Sequence, residues 1–194
     1  MIIGIPIKNF KEAYTRLEQI LSPQERSNLG KALLGNIVDS FKDLETKIYL
    51  ITQDKEVKSY AKKLNISSYT SKTLGLNEEV QSFLENKRGK YTPWCIIHSD
   101  LPYINRFIAN QLLDDVRRHK LLASRSEDNG TPLIGGTENI TNFHYGKNSF
   151  TLHQREAEKI NTQLHIIFSK ELSFEIDTEK NYLDFTENIP NWYK

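Results

Sequence analysis

The chain has 194 residues, with 26 basic and 25 acidic side chains, and this length supports one compact domain over residues 1–194. The near balance of charge argues against a nucleic-acid partner, because domains that cover many phosphates are usually clearly basic. No window approaches 18 apolar residues and the N-terminus lacks a secretory signal, so we expect no membrane partner and a cytoplasmic protein.

The first quarter of the chain predicts a strand, a short irregular segment and a long helix. "MIIGIPI" is typical of a strand, and "AYTRLEQIL" of a short helix or a turn-rich segment. Ser22, Pro23 and Glu25 predict a helix start, since a Ser cap, a first-position Pro and a Glu three residues after the cap favour one. Apolar residues then recur at a spacing of four and predict one buried helix face: Leu29, Leu33, Ile37 and Phe41.

Short apolar runs alternate with helical periods along the rest of the chain. We predict strands at 47–52, 94–99, 120–124, 164–168 and 174–176, and a Gly-rich loop after residue 124. Helices are predicted near 57–64, 78–84, 104–116, 149–160 and 180–186. Strands that alternate with helices imply a mainly parallel sheet with helices on both faces, which binds ligands beyond the carboxyl ends of its strands.

The run "WCIIHSD" delivers Asp100 to the end of a buried strand. A carboxylate at this edge could hold Mg²⁺, which takes one or two carboxylates together with substrate phosphates. The alternative is an aspartate that only caps a helix or turn before Pro102. Cys95, in the same run, is the single cysteine of the chain and is typical of core filling rather than nucleophilic catalysis.

Two further acids stand two residues apart in "EIDT". On a strand, Glu175 and Asp177 would point to the same face, where they repel each other unless a cation or solvent relieves them. Together with Asp100 they predict three carboxylates that converge on a metal ion at one edge of the sheet. The alternative is a solvated strand end.

Two segments predict anion binding. Gly130 and Thr131 combine a flexible backbone with a hydroxyl, although a plain surface loop has the same composition. Gly146 and Ser149 precede a helical stretch, with Ser149 as its expected cap, and a helix start favours anions through its free amides and its dipole. His153 follows one turn later and would face the same side, whereas simple capping is the alternative role for Ser149.

Two basic residues near the first strand could reach a phosphate. Lys8 follows that strand and Arg16 lies on the next element, but neither stands in a GxxxxGK[ST] or GxGxxG context. Solvated surface cations are the alternative. The five histidines lack HExxH spacing and no GxSxG segment occurs, so neither zinc chemistry nor a serine hydrolase is expected.

Taken in order, these segments resemble one family, the 2-phospho-L-lactate or phosphoenolpyruvate guanylyltransferases of coenzyme F420 biosynthesis. The resemblance rests on motifs spread over residues 2 to 185. They are "IPIK…TRL", "SPQER", "GLN" at 75–77, "HSDLP", "DNGT", "FHYGKNSFTLH" and "EIDT". The order and spacing of the motifs carry it more than any single one does.

The resemblance implies a single Rossmann-like nucleotidyltransferase domain that joins GMP from GTP to a small phospho-acid and releases pyrophosphate. The acid would be 2-phospholactate, phosphoenolpyruvate or 3-phosphoglycerate. Mg²⁺ is the implied cofactor, held by Asp100, Glu175 and Asp177. A homodimer is compatible with the sequence, which does not fix the oligomeric state.

The resemblance also assigns roles to individual residues. It implies catalytic roles for Lys8, Arg16 and Asp100. It implies contacts to the phospho-acid from Thr131, Gly146 and Ser149, and contacts to the nucleotide from Lys8, Gly75, Asn77 and Gly130.

The chain departs from the family pattern at three relevant positions. Tyr14 stands where the family has a lysine, Pro132 follows the Gly-Thr pair where the family has an amide side chain, and Glu175 replaces an aspartate. Two other functions therefore stay open. One is a different nucleotidyltransferase, of the molybdopterin or sugar-phosphate type, although these carry a Gly-rich loop after the first strand. The other is a non-catalytic nucleotide-binding relative.

Overall fold

The structure, a computed structural model, describes residues 1–193 and contains one seven-stranded sheet. In sequence order the strands are β1 (Ile2–Pro6), β2 (Lys47–Ile51), β3 (Ser67–Tyr69), β4 (Trp94–Ile97), β5 (Leu121–Ser124), β6 (Leu133–Gly136) and β7 (Leu164–Ile167). Their order across the sheet is β3-β2-β1-β4-β6-β5-β7. All neighbours pair in parallel except β6, which runs antiparallel between β4 and β5. The expected mainly parallel α/β sheet is confirmed.

The described residues contain six α-helices, of which the first five connect the strands and cover both faces of the sheet. They are α1 (Pro23–Ser40), α2 (Lys55–Lys63), α3 (Leu76–Lys87), α4 (Arg106–Arg118), α5 (Ser149–Lys159) and α6 (Glu179–Glu187). One apolar core joins the sheet to α1, α2 and α4, and a second joins its other face to α3 and α5. Within residues 1–193, the helices lack the length and apolar character needed to cross a bilayer.

The start of α1 is set by its local sequence. The Ser22 side chain accepts a hydrogen bond from the Glu25 backbone N–H, and the Glu25 side chain accepts one from the Ser22 backbone N–H. Pro23 occupies the first helical position, where no N–H is required. The predicted helix start is therefore confirmed.

Strand β6 is an element that the sequence pattern does not predict, because Gly-rich segments are typical of loops. The hairpin between β5 and β6 turns at the carboxyl end of the sheet, and Leu133 pairs with Ile97 at the end of β4. This register brings residues 125–132 to the same edge as the residues after β4. Conversely, the strand predicted at 174–176 is wrong, since that segment forms no ladder.

Close packing around β6 explains its glycines. A Cβ atom on Gly135 would lie 2.5 Å from the backbone oxygen of Trp94, and Gly136 has φ +151° with the Lys120 backbone oxygen 2.1 Å from the same hypothetical position. Both clashes involve backbone, which cannot move aside as a side-chain tip can. A larger residue would therefore push β6 away from β4 and β5.

We predict that Gly135→Ala lowers the free energy of unfolding by about 1–3 kcal/mol, because overpacking must displace the β4 backbone. Gly35→Ala is the matched control. Gly35 lies inside α1, and a Cβ there meets only the Tyr60 hydroxyl at 3.8 Å, so the helix should gain about 0.5–1 kcal/mol. Chemical denaturation of both variants tests this. Equal stability of the two would contradict the close approach at Gly135.

Candidate active site

A cleft of about 640 Å³ opens beyond the carboxyl ends of β4 and β5. We call it the strand-end cleft. Its walls come from the segments after β4 and before β6, the start of α5 and the residues before α6. It brings together eight of the residues that the sequence singled out: Arg16, Asp100, Gly130, Thr131, Gly146, Ser149, Glu175 and Asp177.

The acidic wall of the strand-end cleft is built from two chain segments that hydrogen-bond to each other. The Asp100 backbone oxygen accepts a bond of 3.0 Å from the Ile176 N–H. The Ile176 side chain is fully buried in the core formed by α1 and α6, so Glu175 and Asp177 on either side of it are left to line the cleft. The two acids thus reach one side without the strand that the sequence predicted.

The half-buried acids repel one another, and their ionisation reflects this. Burial and the negative charge of Glu175 raise the pKa of Asp100 to about 7. Burial also raises the pKa of Asp177, although the Arg16 guanidinium opposes the shift. Burial alone would lower the pKa of His98. Its bond to Glu175, with 2.7 Å between Nδ1 and Oε1, and the negative charges of Glu175, Asp100 and Asp128 together outweigh that effect, so the pKa of His98 is raised.

A metal ion fits the donor set of this wall. His98, Asp100 and Glu175 each offer one ligand atom, and these atoms lie within 4.8 Å of one another. Asp100 Oδ1 and His98 Nε2 are buried without a hydrogen-bond partner among the described residues. Unpartnered buried polar atoms next to mutually repelling carboxylates are what a cation would satisfy. Asp177 stands beside this group but is ion-paired with Arg16.

The predicted cations have different surroundings. Arg16 lines the strand-end cleft and pairs with Asp177. Lys8 is in an adjoining pocket that also contains Asp100 and Asp177, where its ammonium pairs with Glu12 at 2.8 Å and its side chain is 85% exposed. Lys147, two residues before the start of α5, is a further cation that lines the cleft.

The opposite wall consists of donors. Helix α5 starts at Ser149, with Asn148 in a left-handed conformation as its N-cap, so the expectation that Ser149 is the cap is wrong. The reason is that Asn tolerates a positive φ, here 59°, whereas the Ser149 hydroxyl is bonded to Thr131 Oγ1 at 3.0 Å. In the first turn of α5, the Ser149 N–H bonds to the Gly146 backbone oxygen at 3.2 Å and the Phe150 N–H bonds to the Asn129 backbone oxygen at 3.1 Å, so these two amides already have acceptors. Gly146, with φ +124°, leaves open space where a side chain would stand.

Gly75 and Asn77, the two residues of the "GLN" segment with an expected nucleotide contact, do not line the strand-end cleft. Gly75 is the N-cap of α3 at φ +111° and is not part of the cleft wall. The Asn77 side chain accepts a bond of 2.6 Å from the Tyr145 N–H, so it braces the backbone that leads to Gly146. Leu76, between them, does line the cleft.

Besides Leu76, Lys147 and Asn148, three cleft residues have no role assigned by the sequence patterns. His98 precedes Asp100 by two residues, and the alternation of an extended chain is the signal that could have placed both on one side. Asp128 is held through bonds from Ser126 and from the Gly130 N–H, and its sequence context is that of an ordinary loop residue. Tyr145 lies beside His98, with 5.2 Å between ring centroids.

Tyr14, at one of the departures from the family pattern, stands close to the acids. Its backbone is left-handed at φ 54°, and its ring approaches Gly30. Burial and the charge of Asp100 raise the pKa of its hydroxyl well above the ordinary value. Tyr14 therefore supplies a neutral hydroxyl where a lysine would supply a positive charge.

Sequence comparison finds relatives that are named 2-phospho-L-lactate guanylyltransferases. Residues 1–187 match the model of the family described as "Guanylyl transferase CofC like". A 2-phospho-L-lactate guanylyltransferase of Methanobrevibacter smithii is 30% identical over 164 residues, covering 83% of this chain and 73% of the relative.

Solved structures agree on the fold. A protein of Desulfovibrio desulfuricans G20, described as a candidate nucleotide-diphospho-sugar transferase, superposes with a TM-score of 0.76 at 14% identity, covering 100% of this chain and 90% of that one. A nucleotidyl transferase of Methanothermobacter thermautotrophicus gives a TM-score of 0.63 at 12% identity, with 97% of each chain covered. Because the family model spans nearly the whole chain, this protein belongs to the CofC-like guanylyl transferase family.

Proposed function

We propose that this protein transfers GMP from GTP to the phosphate of 2-phospho-L-lactate, with release of pyrophosphate, as a cytoplasmic step of coenzyme F420 biosynthesis. The family supports guanylyl transfer, and the M. smithii relative is named for this acid. The observation that carries the proposal is that one cleft has an acidic wall, in which Asp100 Oδ1 is buried without a hydrogen-bond partner among the described residues, facing a wall of hydroxyl groups.

The chemistry requires two anions to meet. A phosphate oxygen of the acid attacks the α-phosphorus of GTP, and repulsion between the two opposes their approach. We propose Mg²⁺ as the cation of the acidic wall, held by Asp100 and Glu175 with Asp177 beside them. When bound, it would neutralise phosphate charge and favour the departure of pyrophosphate.

The chain's own groups orient the reactants. Thr131 and Ser149 would hold the phospho-acid through their hydroxyl groups, and Arg16 at the junction of the walls would contact the phosphates of GTP. Asp177 holds Arg16 in place through their ion pair. A side-chain nucleophile is unnecessary, and the attacking phosphate oxygen is already ionised at neutral pH. Cys95 cannot serve as one, since it is fully buried in the core.

Among the predictions that concern function, the first is about the substrates. Incubation with Mg²⁺, GTP and 2-phospho-L-lactate should release pyrophosphate and form a product with the mass of the GMP conjugate. Phosphoenolpyruvate and 3-phosphoglycerate are tested in parallel, because the donor wall contacts groups that all three acids share. ATP, CTP and UTP replace GTP in control reactions.

Two outcomes of this assay would contradict the proposal. Pyrophosphate release with another nucleotide but not with GTP would indicate a different nucleotidyltransferase. Binding of GTP without product from any acid would indicate a non-catalytic relative, a function that the neutral Tyr14 near the acids would favour.

The second prediction concerns Asp100→Asn. Turnover should fall roughly 100- to 1,000-fold, or about 3–4 kcal/mol in the barrier, because the cation loses a charged ligand. Asp114→Asn, on the exposed face of α4, is the matched control and should keep wild-type turnover. Wild-type rates in the Asp100 variant would remove this residue from the mechanism.

The same variant should melt at a higher temperature than the wild type without divalent ions at pH 8. The raised pKa of Asp100 means that its ionisation destabilises the folded chain, and this cost grows as the pH rises towards the folded pKa. Because an asparagine at position 100 carries no charge, the variant lacks this free-energy cost of ionisation. Added Mg²⁺ should then raise the melting temperature of the wild type only. A variant that melts lower in the absence of metal would contradict the repulsion at this wall.

A further inference from the structure

A chain of hydrogen bonds runs behind the donor wall and ends at Ser149. The backbone N–H of His144 bonds to His153 Nε2 at 3.0 Å. His153 Nδ1 lies 3.0 Å from Thr131 Oγ1, which in turn lies 3.0 Å from Ser149 Oγ. His153, Thr131 and Ser149 are all buried, with exposed fractions of 0%, 1% and 2%.

The first bond of this chain determines the tautomer of His153. A backbone N–H can only donate, so Nε2 must accept and therefore carries no proton. The proton of the neutral ring is then on Nδ1, which donates to Thr131 Oγ1. Burial, followed by the charge of His144, lowers the pKa of His153 to about 3, so the ring stays neutral at working pH.

Counting protons shows what the ring does to the two hydroxyls. Thr131 and Ser149 carry two hydroxyl protons, and their mutual bond uses one of them. If His153 accepted a bond from Thr131, the second proton would be used as well, and the pair would present only lone pairs. Because His153 donates, one hydroxyl proton stays free for the strand-end cleft, whichever of the two hydroxyls carries it.

We propose that His153 is a positioning residue that makes the Thr131–Ser149 pair a donor towards an unprotonated oxygen of the phospho-acid. This inference rests on the proposed function, which places the acid at this wall. It also defines a specificity: the pair donates to a carboxylate or phosphate oxygen of the ligand and disfavours a ligand group that itself donates a hydrogen bond at that point. His153 itself lies behind the wall and acts only through Thr131.

Aromatic neighbours hold the ring in its orientation. Phe143 and Tyr145 pack against it edge to face, with centroid separations of 5.9 Å and 5.2 Å. These contacts oppose a rotation of the imidazole that would exchange its two nitrogens. They also explain why the aromatic residues and the histidine occur together in "FHYGKNSFTLH".

The third prediction is a spectroscopic signature of the wild-type protein without substrate. The ¹⁵N spectrum of histidine-labelled protein should show His153 with a protonated Nδ1 and a bare Nε2, unchanged from pH 5 to 8. Free histidine titrates within this range, so a persistent single tautomer is distinctive. A protonated Nε2 on His153 would overturn the inference.

The fourth prediction uses His153→Leu, which removes the donor to Thr131. The KM for the phospho-acid should rise roughly tenfold, because the free proton is no longer oriented towards a charged acceptor, while the KM for GTP should stay within about twofold. His165→Leu, the same change at an exposed histidine of β7, is the matched control and should alter neither value.

A double-mutant cycle separates positioning from a structural role. If His153 acts through Thr131, His153→Leu should add nothing to the KM of a Thr131→Val protein. Equal increases in both KM values, or additive effects in the cycle, would overturn the inference. If the His153→Leu protein does not fold, the ¹⁵N measurement of the His153 tautomer is the test of the inference. A protein with the Nδ1 tautomer that transfers no GMP to any acid would refute the proposed function and not the tautomer.

Discussion

Repulsion among carboxylates at one edge of the sheet is the constraint on which the arrangement of the rest of the site depends. Asp100 and Glu175 share a half-buried wall, and burial together with the charge of Glu175 raises the pKa of Asp100, with no lysine at position 14 to oppose the shift. Such an arrangement costs stability in the free protein. It persists because the core holds both segments rigidly, through β4 on one side and the buried Ile176 on the other.

The antiparallel strand β6 connects this wall to the donor wall. A purely parallel sheet would carry the chain away from the edge after β5, whereas the β5–β6 hairpin returns it to the carboxyl end of β4. Residues 125–132 can then stand opposite Asp100 and contact the start of α5. This return requires glycine at 135 and 136, since the neighbouring backbones come too close for a Cβ. The fold therefore depends on residues whose sequence signal is that of a loop.

Local patterns in the sequence predict the features that depend on near neighbours, but not those that depend on packing between distant segments. Periodicity and capping are enough to predict α1 and the alternation of strands and helices. The order of the motifs is enough to identify the family. Strand β6 is missed because its glycines are required by a close approach that no local rule contains. The residue type and position of Ser149 fit a helix cap. Its actual partner, Thr131, is 18 residues away and becomes a neighbour only through the hairpin.

The two walls are opposite in chemistry, and each is incomplete without a ligand. One presents the buried Asp100 Oδ1, which has no hydrogen-bond partner among the described residues, and the other presents a hydroxyl proton that lacks an acceptor. Direct hydrogen bonds between the acidic wall and the donor wall would satisfy the groups of both walls. Gly130 and Gly146 line the cleft, however, and have no side chain that could bridge the gap between the walls. A phosphate group is suited to this gap, because its several oxygens can meet a cation on one side and donors on the other. The separation of acid from donor thus suits this cleft to the proposed reaction, in which it would hold two phosphate-bearing reactants.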